Sequence, residues 1–433
     1  MAAVTAPPAA APADPGTLLR FLSQLGHVLI ASGEAVAVVE DAIRRIARAH
    51  GVAHVSVVAL PTVLFVKLED ASGSRLDLTS EEGVTLRFDQ IESAFALAAD
   101  AQQRLVTPEQ GLARLAAILA RKPRFGVTAS VVGHMLMTVG IALCLKPTWE
   151  GLGAAAFYGV VVGVLKVFAR NRGMLETLLP TIAAFLVALL ALSAVRYGIP
   201  ASPLRALIAS LVTFLPGGVL AIAAMDLAYS DMVSGAARFV AGLVQLMFLV
   251  LGMTMAASIV GLPPERLLVD PQVRVAPWAI WPGMFCFGVG TLLHYSTAPK
   301  TFPWMLAALA IATGAQLAGA AAFGGYMSGF VGALVMTPVA YLMQYRLGGP
   351  PAMVTFTPAL WLLVPSSLGL IGLAELAADN HLAGVENFTA TLFTIVSTAL
   401  GALMGSGIYN AFFDPIFRSA GEMAESMRRR WLR

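Results

Sequence analysis

The sequence predicts an all-α polytopic membrane protein, ten transmembrane helices arranged as a five-plus-five inverted repeat, preceded by a small α+β cytoplasmic domain. Three observations predict it. The chain is 58% hydrophobic and 12% charged, where an average soluble domain carries about 25% charge. Charge is also uneven, being concentrated before residue 123, after which long apolar runs alternate with short polar links. Finally, two of those runs are interrupted alike: TFLPGGVLAIAAMDL from Thr213 to Leu227, and LLVPSSLGLIGLAEL from Leu362 to Leu376.

In chain order, residues 1–16 are rich in Ala and Pro and lack the basic start and apolar core of a signal peptide, which reads as a disordered tail. Residues 17–122 form the α+β domain. Apolar residues three and four apart from Thr17 to His50 predict helices, with Gly33 as a bend and Gly51 as a C-terminal cap. VSVVAL, TVLFVKL and RLDLT alternate as strands do, separated by Pro61 and ASGS, and helical periodicity returns over Gln90–Arg104 and Pro108–Arg121. His27, Glu34 and Glu40 are the material of acid–base catalysis, so a membrane-anchored hydrolase is one alternative; the absence of a GxSxG motif favours a regulatory or assembly domain and no enzyme. His50 and His54 have helix-borne ligand spacing, but Gly51 ends the helix between them, so no metal or other cofactor is expected.

Ten runs then have the roughly 20-residue length that spans an approximately 30 Å hydrocarbon layer. They fall near 125–145, 151–169, 177–195, 204–225 and 236–260, then 277–297, 302–322, 326–345, 356–374 and 388–410. This places a first five-helix repeat at 123–260, an outer linker at 261–276, a second repeat at 277–410 and a basic tail at 411–433. Lys166, near the end of the second run, is expected to snorkel to the surface. Gly159 with Gly163 and Gly401 with Gly405 allow close helix packing. Basic residues collect at one set of ends, leaving only Lys146, Arg196, Arg205, Arg266 and Arg274 for the other, so both termini are placed in the cytoplasm and the tail on the inner lipid surface. No basic stripe exists for a nucleic acid, and Cys144 and Cys286 sit in apolar runs as small buried residues.

A proline and two small residues inside a span are tolerated mainly beside protein or a wet cavity, because lipid offers no hydrogen bonds to the freed backbone. One register aligns Pro216 with Pro365, Gly217 and Gly218 with Ser366 and Ser367, Asp226 with Glu375, Asp231 with Asn380, Gly235 with Gly384 and Phe239 with Phe388. Two like halves with an odd number of spans enter the membrane in opposite directions, the architecture of an alternating-access carrier whose site lies at the paired breaks.

These residues resemble the threonine/serine exporter family. SGEAVAVVEDAIRRIARAHG, from Ser32 to Gly51, is similar to its soluble-helix motif, ALPTVLFVKL to the strand that follows, and FLPGGVLAIAAMDLAYSDMVSGAARF, from Phe214 to Phe239, to its membrane signature. In the second half the family pattern Val-Pro-Gly is replaced by Val364-Pro365-Ser366. The resemblance implies a cytoplasmic domain followed by ten spans, in a bacterial inner membrane, and outward transport of threonine and serine driven by the proton motive force. Related split members resemble dicarboxylate exporters, which keeps a succinate-like substrate as the alternative.

An amino acid brings a carboxylate and an ammonium, each of which needs a partner in low dielectric. The N–H groups of Gly217 to Leu220 are expected to hold the carboxylate, with Thr213 or Ser210 near a substrate hydroxyl. Asp226, about 15 Å beyond Pro216 by helical rise, suits proton coupling or gating, as does its counterpart Glu375. Arg238 is a candidate partner for Asp226 or Asp231, and His134 is a candidate proton carrier, as is His294. Gln245 and Gln316 either line a polar path or join helices. The partners expected are thus a small polar substrate, protons, the lipid bilayer and, as a further option, a second copy of the chain.

Overall fold

The computed structural model describes residues 14–70, 73–80, 85–145, 148–170, 172–198, 203–262, 276–363, 366–378 and 380–413. Most of the expected tail at 1–16, most of the linker at 261–276, and residues 414–433 lie outside them, as does Pro365. The chain divides into two compact units, one of residues 1–123 with 226–238, the other of 124–225 with 239–433. Residues 226–238 thus cluster with the N-terminal residues.

The first unit opens with α1 (Pro15–Ala31) and α2 (Val36–Ala49). The Asp14 side chain accepts from the Thr17 N–H to cap α1, and Gly33 and Gly51 take the positive φ values, +88° and +89°, that their roles as bend and cap demand. Then come β1 (His54–Leu60), β2 (Val63–Asp70) and β3 (Gly73–Thr79), an antiparallel meander in which Leu60 faces Val63 across the Pro61–Thr62 turn. The alternation read from the sequence is real: Val57, Ala59, Leu64, Val66 and Leu68 are buried, while Val58, Leu76 and Leu78 are exposed. α3 (Phe88–Gln102) and α4 (Pro108–Leu119) complete the unit. The reciprocal bonds of Thr107 and Gln110 start α4. α1 packs on β2, with Phe21, Leu22, Leu25, Ile43, Ile46, Leu64 and Leu68 almost wholly buried.

The second unit is built from apolar helices: α5 (Val127–Cys144), α6 (Trp149–Ala169), α7 (Met174–Arg196), α8 (Pro203–Ser210), α9 (Gly217–Ala228), α10 (Met232–Val260), α11 (Ile280–His294), α12 (Phe302–Phe323), α13 (Gly325–Arg346), α14 (Ala352–Leu363), α15 (Ser366–Ala377) and α16 (His381–Ile408), except that the end of α9 and the start of α10, within residues 226–238, fall in the first unit. Among the described residues seven are long and apolar enough to cross a membrane, and nine spans result if α8 with α9, bent by 58°, and α14 with α15, bent by 41°, each count once. The chain is therefore a multi-pass membrane protein.

The difference from ten is α11. Its 15 residues make about 22 Å of helix, short of the hydrocarbon thickness. It was expected to run to 297, but Ser296 adopts φ +53° and the Thr297 N–H bonds back to the Leu292 carbonyl, closing the helix in a left-handed cap three residues earlier. Pro299 follows.

α5 and α11 meet backbone to backbone. A Cβ placed on Gly133 would lie 2.6 Å from the His294 nitrogen and 2.8 Å from the Gly290 carbonyl oxygen; one on Gly140 would lie 2.6 Å from that of Gly283. Gly133 opposite Gly290 and Gly140 opposite Gly283 make the pair antiparallel. Gly159 and Gly163 bring α6 equally close to α5, and Gly405 brings α16 against the Leu334 carbonyl of α13, the packing roles expected of them.

Candidate functional site

The first break follows from Pro216. Its missing N–H leaves the last turn before it without a continuing ladder, so the chain tightens into a 3-10 turn over Val212–Phe214 and then extends at Leu215 (φ −70°, ψ 124°). α9 restarts at Gly217. The Phe214 carbonyl, which a continuous helix would have satisfied, instead accepts from the Gln245 side-chain amide of α10 at 2.6 Å. In the second half the Gln316 amide of α12 donates to the Leu363 carbonyl at 3.3 Å, two residues before Pro365. The two glutamines left open by sequence reasoning thus serve the two breaks.

Of the amides expected to face an anion, that of Leu220 is already engaged by the Pro216 carbonyl at 2.9 Å. The amides of Gly217, Gly218 and Val219 precede any carbonyl one helical turn back within α9. Gly218 faces Trp361 of α14: a Cβ there would stand 3.5 Å from the indole nitrogen, so the segment leaving the first break meets the one entering the second. Ser366 and Ser367 open α15, and Ser210 donates back to the Leu207 carbonyl, the usual fate of a helical serine, so its hydroxyl proton is already engaged.

A polar cluster surrounds the first break. His134, fully buried on α5, places Nδ1 3.0 Å from the Gly159 carbonyl and Nε2 3.2 Å from Thr213 Oγ1. A carbonyl only accepts, so Nδ1 carries the proton and Nε2 of the neutral ring accepts from the Thr213 hydroxyl. His294, at the end of α11, repeats this arrangement. Its Nδ1 lies 2.9 Å from the Ser130 carbonyl, and its Nε2 lies 2.8 Å from Lys166 Nζ and accepts from it. The two rings stand 5.2 Å apart, edge to face.

Lys166 does not snorkel as expected. Its ammonium turns inward, bonded to His294 and lying 5.5 Å from the Phe214 ring and 5.7 Å from that of Tyr295, where imidazole and aromatic faces replace water. A signal was available, because Arg170 and Arg172 already supply the basic flank of that helix end.

The acids occupy a second arrangement, in the first unit. Asp226, wholly buried, accepts from Arg238 at 2.7 Å and from the Val36 N–H, at the start of α2, at 3.2 Å. The other Arg238 nitrogen donates to the Glu34 carbonyl at 3.2 Å, and Ser234 donates to the Ala59 carbonyl at 3.3 Å. Burial pushes the Glu34 carboxyl above the usual carboxylate range; the Ala35 N–H and Arg238 offset part of the rise and Asp226 adds to it. Burial also raises Asp231, with Glu40 as the next cause. Glu40 is committed to structure, bonded to Arg44 and to the Ala59 N–H. In the second unit Glu375 accepts from Asn387 at 2.6 Å. Sequence reasoning missed Asn387, although it stands at the same offset from Arg238 as Glu375 does from Asp226.

A cleft of about 540 Å³ opens elsewhere, lined by Tyr326, Met327, Glu386 and Phe393 among others, and touches neither break.

No curated protein and no solved structure matches the chain. A family model described as "Putative threonine/serine exporter" matches residues 20–260, more than half of the chain, and takes in the first unit, the first break, Lys166, His134 and the Asp226–Arg238 pair. By that match the chain belongs to the threonine/serine exporter family, a family of transporters.

Proposed function

We propose that the protein exports small hydroxy amino acids, threonine and serine, across a bacterial inner membrane by alternating access, driven by the proton motive force, with both termini in the cytoplasm. The observation that carries this reading is the pair of bent spans, α8–α9 and α14–α15, each interrupted beside a proline and each ending in an acid held by a residue twelve positions on. Discontinuous helices in corresponding positions of two halves are where carriers bind substrate.

In this reading Thr213, Pro216, Gly217 and Gly218 form the substrate site together with Pro365, Ser366 and Ser367. Asp226 with Arg238 gates one end and Glu375 the other, and His134 carries protons. The antiparallel α5–α11 contact supports the five-plus-five inverted repeat, since the leading helices of two inverted halves must run in opposite senses. Counterflow into proteoliposomes with labelled threonine, serine and succinate tests the reading. Exchange of threonine and serine, accelerated by an imposed proton gradient, is expected; exchange of succinate alone would replace the substrate with a dicarboxylate, and no exchange of any of the three would overturn it.

A further inference from the structure

The cation at the first break does not cap the carbonyl freed there, which Gln245 takes. An offset of 150 residues, one more than the 149 that aligns the two breaks, takes Gly133 to Gly283 and Gly140 to Gly290, and takes Lys166 to Gln316. Gln316 spends its amide on the freed carbonyl of its own break, whereas at the first break Gln245, from another helix, does so. Lys166 is thereby released from capping, and its ammonium is held by a single imidazole nitrogen between two aromatic faces. Keeping a charge in such a place is costly unless something anionic visits it.

We infer that Lys166 receives the substrate carboxylate and that His294 Nε2, vacated by Lys166, receives the substrate ammonium, so that a proton and an amino acid compete for one lone pair. This rests on the transport reading above and adds the residues and the sign of coupling. The geometry fixes the sign. Nδ1 of His294 is spent on the Ser130 carbonyl, leaving Nε2 as the ring's one acceptor. A proton placed on Nε2 turns it into a donor, which repels both Lys166 and a substrate ammonium. Proton bound and amino acid bound are therefore exclusive states, which is the condition for exchanging one against the other.

The charges acting on His294 are Lys166 from α6 and Arg170 just past its end, with His134 from α5, and Tyr295 stands beside it with ring centroids 4.8 Å apart. None of these is a carboxylate that would hold the imidazolium in place of the substrate. A dicarboxylate has no ammonium to offer Nε2, so the same site favours an α-amino acid over succinate.

The test uses the purified full chain in two measurements. Threonine binding is read as thermal stabilisation at several pH values from about 8 to about 5, a range that brackets an imidazole; flux is read by counterflow. The proposal expects threonine affinity to fall as pH falls. Threonine amide, which lacks the carboxylate, and 3-hydroxybutyrate, which lacks the ammonium, should both bind about ten- to hundredfold more weakly, the scale of one charge-assisted hydrogen bond. Lys166→Gln should lose affinity by a similar factor, with Lys166→Arg recovering part of it. His294→Gln, whose amide oxygen still accepts, should bind threonine with a clearly flattened pH dependence. Unaltered affinity in Lys166→Gln, an unchanged pH profile in His294→Gln, or no threonine binding by the wild type would each overturn the inference. Binding as expected without flux would support the site and overturn the exporter reading, while flux with wild-type behaviour in both variants would do the reverse.

Discussion

Asp226 and Arg238 face each other across a chain reversal, twelve residues apart, and their side chains meet at 2.7 Å with the carboxylate wholly enclosed. α9 ends and α10 begins at this bond, and it is tied to the N-terminal residues through the Val36 N–H and the Glu34 carbonyl. Removing the arginine strands a buried charge, a loss on the scale of about 3–5 kcal/mol. Arg238→Ala should therefore lower the unfolding midpoint of the detergent-solubilised chain markedly. Asp226→Asn keeps an acceptor for Arg238 and should lose less stability, while weakening the proton dependence of threonine flux; wild-type pH behaviour in that variant would remove Asp226 from coupling.

The second acid is held by a neutral partner. Because Asn387 can donate to an amide oxygen as well as to a carboxylate, Glu375→Gln should cost no more than about 1 kcal/mol, the net worth of one hydrogen bond. Melting curves of the two acid variants side by side check this: a cost equal to that of Arg238→Ala would show that Glu375 answers a charge as well as Asn387.

The glycine seam between α5 and α11 leaves no room for a side chain. Gly140→Val drives carbon into the Gly283 carbonyl, 2.6 Å from where its Cβ must sit, and overpacking of that kind costs about 1–3 kcal/mol or more. Folded yield should collapse, whereas Gly153→Ala, with nothing within 4 Å of the new carbon, should be silent. Fluorescence-detected size exclusion of the two variants decides the matter.

Gly218 is different, because a Cβ there meets Trp361 at ordinary contact distance. Gly218→Ala should therefore insert and fold normally, and Gly218→Val should abolish flux while leaving the membrane-inserted yield intact. Unchanged flux in the valine variant would move the substrate away from the start of α9.

Glu34 carries a pH signature. Its carboxyl is raised above the usual range by burial, so the folded state holds the proton more tightly than the unfolded chain does. The contribution is complete below the unfolded value, about 4.3, and is lost as pH rises through the folded one. Glu34→Gln should raise the melting temperature at neutral pH and leave it unchanged in acid; a variant less stable than wild type at pH 7 would contradict this.

Much of the fold is legible in the residues. The meander, the four surrounding helices and both interrupted spans follow from periodicity, from Pro216 and from the turn glycines, because these act locally. The length of α11 does not, since Ser296 entering the left-handed region is a local choice that hydropathy ignores. Nor does the direction of Lys166: near a helix end the same stem reaches lipid headgroups or a neighbouring helix, and only the position of His294 on another segment decides. The donor to Glu375 stands at the offset that aligns the two breaks, but an asparagine in a span reads as weakly polar until a carboxylate is seen beside it. That the segments before and after the breaks meet, with Trp361 over Gly218, is a tertiary fact beyond one chain's pattern.

Four glycines on α5 and α11 bring the two backbones into direct contact, with Met137, Leu143, Cys144 and Leu293 packed around the points of approach. Two such rods can roll about their crossing point but can neither spread nor compress there without losing every contact at once. Any rocking of one half of the bundle against the other is thereby given a fixed fulcrum, and the groups hung beside it, His134 one residue past Gly133 and His294 four past Gly290, travel the least when the ends swing.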